Sequence, residues 1–263
     1  MTRTMSSPTA TARAALAGIA AFPLIVVVLQ VVQAGQYHPL SEAVSELALG
    51  RAGWLMTIAF CSLGTGALLL ARIFRHLDPH PRVAPWQIGI SGLLSYGSAF
   101  VHADGAGPST LHGEIHQGLG IATFILMVSG MFSLIRAFRR DPDWRTLATP
   151  TLIWAVVAVA TFFLIPISGS NYFGLAQRVF LGVILSWALT AAFHAARVSE
   201  AGRARRLGGL TGSREMRVGG AEPLLRVRIP QLPAMAARID LEGVRNVRGH
   251  EVPVEGDVVG NEP

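Results

Sequence analysis

The sequence predicts an all-α polytopic membrane protein, a bundle of six transmembrane helices with both termini cytoplasmic. Three observations predict it. Charged residues make up 14% of the chain and hydrophobic residues 51%, whereas a soluble domain carries about 25% charged residues. The apolar residues fall into six blocks, each near the roughly 20 residues needed to cross a bilayer core. Arginines alternate between rich and poor loops in the order that six spans require.

The blocks are 14–34, 52–73, 85–102, 113–135, 148–168 and 174–196. The first is longer than the 7–15 apolar residues of a signal peptide, and further spans follow, so it is expected to be a retained helix. Cys61, the one cysteine, falls in the second block and excludes an internal disulfide. Pro23 and Pro166 are expected to bend spans one and five. Gly64, Gly66, Gly118 and Gly120 are expected to let helices approach closely. Trp54, Trp86, Trp154 and Trp187 read as packing and belt residues, and Tyr172 as an interfacial anchor.

All 22 basic residues are arginine and the net charge is +6. Membrane topology accounts for that charge better than nucleic-acid binding does. One set of segments holds Arg3 and Arg13; Arg72, Arg75 and Arg82; Arg136, Arg139, Arg140 and Arg145; and Arg197, Arg203, Arg205 and Arg206. The opposite set holds Arg51 and Arg178 alone. The positive-inside rule therefore puts residues 1–13 in the cytoplasm, 14–197 in the membrane and 198–263 back in the cytoplasm. Residues 198–263 mix both charge signs with many glycines and lack a sustained apolar period, so a disordered tail is expected. Its basic start, 197–209, either touches anionic lipid heads or is merely solvated.

Three polar segments share the arginine-poor face. The first, "VHADGAGPSTLHGEIH" (101–116), holds three histidines and two acids. His112 and His116 are spaced i,i+4 and share a helix face. Asp104 and His102 precede them, and three histidines with one aspartate would satisfy a tetrahedral Zn²⁺ site. Glu114 lies off that face. The alternative is a set of boundary residues bonded to each other and to water. Ser109 or Thr110 is expected to cap the fourth span.

The second segment, "HPLSEAVSELALG" (38–50), places Leu40, Val44 and Leu47 at i, i+4, i+7, with Ser41, Glu42, Ser45 and Glu46 opposite. This pattern predicts a short amphipathic helix that lies in the interface. Either it is only a surface bridge, or it folds over the bundle and presents those serines and glutamates to the His/Asp cluster. The third segment, "NYFGLAQRVF" (171–180), carries Gln177 and Arg178 at the start of the sixth span. An arginine in an apolar segment is costly unless it snorkels or pairs. The acids offered to it are Asp104, Glu42, Glu46 and Glu114. No phosphate loop, dinucleotide fingerprint or haem motif is present, and no inverted repeat relates the two halves.

These segments carry a resemblance. Ser41, Ser45, Leu49, Gly50, Gly53 and Trp54, then Asp104, then His112-Gly113 with His116, then Gly174-Leu175 with Arg178, resemble in order the motifs of the domain of unknown function 998 family. The likeness covers about 15–196 and implies a six-span membrane protein of bacteria and archaea. Val101-His102-Ala103-Asp104 stands where relatives often have Phe-Pro-Thr-Asp, so His102 ranks below His112 and His116 as a ligand. In residue types alone, the Ser, Asp and H-x-x-x-H set is similar to the alkaline-ceramidase and adiponectin-receptor superfamily of metal-dependent membrane hydrolases.

Three functions follow as expectations. One is a metal-dependent lipid hydrolase in which Asp104, His112, His116 and His102 hold Zn²⁺, and Ser41, Ser45, Glu42, Glu46 or Arg178 serves the reaction. Another is a non-enzymatic module that binds a lipid head group or partner, or senses pH through its histidines. The last is a small-solute carrier, disfavoured because the span interiors lack a central carboxylate.

Overall fold

The computed structural model describes residues 8–77, 80–105 and 108–212, with side chains through residue 205. Six α-helices account for most of them: α1 Pro8–Val32, α2 Trp54–Phe74, α3 Ala84–Phe100, α4 Leu111–Arg140, α5 Ala148–Ile167 and α6 Gly169–Gly212. Five of these, α3 being the exception, are long and apolar enough to cross a membrane. With 17 residues, α3 rises about 26 Å, slightly less than a bilayer core. Leu24, Val31, Ile153 and Phe163 stay well exposed on their helices, as lipid-facing side chains of a bundle are.

The helices form a ring in chain order. Each packs on the next, and α6 returns to α1. Arg13 on α1 bonds Glu200 on α6 at 2.7 Å and ties that closure. Close approach comes from glycines. A Cβ on Gly64 would lie 2.7 Å from the Gly92 carbonyl, and one on Gly66 2.9 Å from the Ile19 nitrogen. The expectation of close packing holds for this pair and fails for Gly118 and Gly120, where an added Cβ meets nothing within 4 Å.

The two ends of the ring differ. At the arginine-rich end, Phe74 sits in an aromatic cluster with Phe138, Trp144 and Trp187 at ring separations of 5.7, 5.5 and 6.4 Å. Trp187 is 1% exposed and donates its indole N–H to Thr151. Trp54 and Trp86 are exposed instead. At the other end the ring is hollow.

Segment 38–50 departs from the expected amphipathic helix. Only Val44–Ala48 is helical, as a 3-10 turn. Val44 and Leu47 are buried, but Leu40 is 54% exposed. The turn is too short to repeat a 3.6-residue face, since 3-10 geometry puts three residues in a turn. Beyond residue 197, α6 runs on to Gly212. The rest of the expected tail, 213–263, lies outside the described residues.

Candidate functional site

The hollow end encloses a cavity of about 640 Å³. Its walls come from every helix and from the 3-10 turn. Phe22, Phe60, Phe124, Phe162 and Leu181 form an apolar side. Ser45, Glu46, Asp104, His116, Gln117 and Gln177 supply polar groups. Of the candidate catalytic and metal-ligand residues, Ser45, Glu46, Asp104 and His116 line this space. Ser41, Glu42, His102, His112 and Arg178 do not. The cavity also reaches the outside of the ring. Gln117 and Ile121 on α4 and Pro166 on α5 both line it and are exposed, so it opens between these two helices.

Segment 38–50 is held as a cover by side chains that bond its backbone. Arg178 is the main one. Its Nη1 donates to the carbonyls of Pro39 at 2.6 Å, Gly174 at 2.8 Å and Glu42 at 2.9 Å, and its Nη2 donates to the Tyr37 hydroxyl. The Tyr37 hydroxyl in turn donates toward the Ala43 carbonyl at 2.9 Å. Burial pushes the Tyr37 pKa up, against the pull of Arg178. The Val44 amide donates to Gln177 Oε1 at 2.8 Å. Gln33, 3% exposed, donates to the Leu47 and Arg51 carbonyls at 2.9 Å each. The expectation that Arg178 snorkels or pairs with a carboxylate is corrected: it meets Glu42 through the carbonyl. A guanidinium has five donors in a fixed fork, which suits a curl of converging carbonyls. Gly174 is necessary there, because a Cβ would fall 2.7 Å from the Pro39 carbonyl and closer still to that of Glu42.

The cluster at 101–116 is built around the start of α4. Asp104 accepts from the Thr110 amide and from the Thr110 hydroxyl, each at 2.7 Å. Thr110 is the N-cap and its Oγ1 accepts from the Gly113 amide at 3.2 Å, as the sequence predicts. These bonds favour the ionised carboxylate and lower the Asp104 pKa, the Thr110 amide most. A Cβ on Gly113 would collide with the Asp104 carboxylate, which explains the glycine between the two histidines. His112 Nε2 accepts from the His102 amide at 3.0 Å, and the two rings stack at 6.4 Å. His116 is buried, its Nδ1 on the Val101 carbonyl at 2.5 Å and its ring edge-on to Phe60.

This geometry corrects the metal reading. Asp104, His112, His116 and His102 do not converge as one ligand set. Among the described residues, no group of three or more His, Cys, Asp or Glu is placed to hold a metal ion. The physical reason is that the candidate donors already serve the helix start. Both Asp104 oxygens engage Thr110, and His112 Nε2 and His116 Nδ1 engage backbone atoms. The bland alternative, boundary residues bonded to each other, describes most of the cluster.

Glu46 is half-buried, and its Oε1 accepts from the Ala43 amide at 2.8 Å. Desolvation raises its pKa, outweighing that bond. Ser45 and Ser98 are 9% and 5% exposed and line the cavity. Sequence reasoning missed Gln33 and Tyr37. Their signal was a glutamine buried at the end of an apolar span, which needs a partner, and a tyrosine just beyond it.

The fold and cavity define a multi-pass helical membrane protein with a hollow at one end of its bundle. The chain belongs to the family described as "Protein of unknown function (DUF998)", whose model matches residues 16–194. No curated protein and no solved structure matches it.

Proposed function

We propose that the protein is a bacterial plasma-membrane receptor for a single amphipathic molecule, a membrane lipid or lipid-like compound, held in the cavity with its head at the polar wall. One observation carries this reading: a single cavity has both a phenylalanine side and a polar side, and opens between α4 and α5 where spanning helices meet lipid. The arginine distribution supports an extracytoplasmic position for the cavity, with both termini inside. Binding needs no metal, so it fits the cluster as built. Metal-dependent hydrolysis would need a ligand set that the described residues do not assemble.

The test is lipid extraction and mass spectrometry of the protein purified in mild detergent, wild type beside Gly120→Phe. Gly120 lines the cavity and has open space at its Cβ position, so the ring fills the hollow without displacing backbone. Wild type should carry about one amphiphile per chain, and the variant much less. Equal lipid content in two equally stable proteins sinks the reading. Release of a fatty acid from the bound molecule would make the site hydrolytic. For orientation, a reporter fused after residue 200 should be active in the cytoplasm; activity outside would reverse the topology.

A further inference from the structure

We propose that the cavity selects a cationic amphiphile, an apolar chain with an ammonium head, over neutral and anionic amphiphiles of the same length. This rests on the ligand-binding reading above and adds the charge of the head.

The charged side chains that line the cavity are Glu46 and Asp104, and no arginine lines it among the described residues. Arg178, the arginine whose charge reaches Glu46, turns its Nη groups to the Pro39, Glu42 and Gly174 carbonyls and the Tyr37 hydroxyl, and its pull on Glu46 is weaker than the desolvation that opposes it. The two carboxylates are not equivalent. Asp104 accepts two bonds from Thr110 at the positive end of the α4 dipole, which already offsets part of its charge. Glu46 has one bond, from the Ala43 amide, and lies half-buried away from a helix start of that length. A carboxylate in that setting is costly to ionise without a counter-ion, consistent with its raised pKa. Glu46 therefore carries the selection.

A second observation points independently to a polar ligand. Ser45 and Ser98 are 9% and 5% exposed, line the cavity and have no hydrogen-bond partner among the described residues, and the buried Thr123 hydroxyl on the same wall has none either. A buried hydroxyl normally finds a partner, and each can accept from an ammonium N–H. Ser45 adjoins Glu46 in the chain. Phe60 and Phe124 line the same space, and aromatic faces attract an ammonium group.

Native mass spectrometry of the full chain in a neutral detergent, with hexadecylamine, hexadecanol and hexadecyl phosphate, tests this. Hexadecylamine should bind about 10-fold tighter or more than the other two, as expected for one desolvated charge-assisted hydrogen bond. Glu46→Gln should bring it down to the level of hexadecanol and leave hexadecanol itself unchanged. Glu42→Gln, whose carboxylate bonds the His38 amide outside the cavity, should keep the preference. Equal binding of all three, or a preference for the phosphate, overturns the charge selection and leaves the amphiphile reading standing. Failure of all three to bind overturns both. The wild-type comparison decides the matter even if Glu46→Gln does not fold.

Discussion

Arg178 on α6 holds the carbonyl of Pro39, 139 positions earlier in the chain, at 2.6 Å. Through this contact the last span fixes the first connection, and the cavity gains a roof. Replacing Arg178 with Ala removes the donor from three carbonyls and a hydroxyl; the bond to Pro39 is exposed and the other three are partly buried. The expected loss is about 1.5–3 kcal/mol, the contribution of hydrogen bonds made to a charged group. Arg178→Lys should recover only part of it, because an ammonium lacks the planar fork. Hydrogen exchange at the amides of 43–48 is the measurement. Protection unchanged in Arg178→Ala would disprove the staple.

Gly113 and Asp104 form a steric pair. Gly113→Ala drives a methyl group into the Asp104 carboxylate and should cost about 1–3 kcal/mol. The double variant Gly113→Ala/Asp104→Ala should be less destabilised than the sum of the single changes, since the obstacle is gone. Additive losses in thermal melts would show that the two positions do not interact.

Asp104 also predicts a pH response. Its folded-state pKa is lowered by the Thr110 bonds. The stability it contributes is therefore present above the unfolded value and is lost as pH falls through the folded one. The window lies below about pH 4. Melting temperature should drop there more steeply in wild type than in Asp104→Asn. Parallel pH curves for the two proteins would count against an ionised cap at α4.

The glycines separate by position. Gly64→Ala puts a methyl group 2.7 Å from the Gly92 carbonyl and 2.8 Å from the Tyr96 ring, so a loss of about 1–3 kcal/mol is expected. Gly120→Ala meets open space inside α4 and should be neutral or stabilising by up to about 1 kcal/mol, since alanine favours a helix over glycine. Similar losses in both variants would contradict the hollow end of the bundle.

How much of this was legible in the sequence varies by kind of contact. The spans were legible because burial in lipid demands length and apolarity, and both are local properties. Asp104, Gly113 and His116 were visible as neighbours in one segment. Arg178 was visible as an expense in an apolar helix, but its partners were not. They are main-chain carbonyls, which any residue can present, so residue types pointed to carboxylates instead. The i,i+4 spacing of His112 and His116 suggested a shared side of one helix, and both lie on α4. It did not reveal that His112 is exposed while His116 is buried. Leu40 was misplaced because a periodic pattern was extended over a turn too short to sustain it.

The cover over the cavity is gripped almost wholly by its main chain. Arg178, Gln33 and Gln177 reach carbonyls and an amide of 39–51 rather than side chains. Ser45 is therefore free to change without loosening the grip, and Glu46 contributes only its single bond to Ala43. The residues at 45 and 46 can therefore be exchanged while the frame that presents them stays fixed.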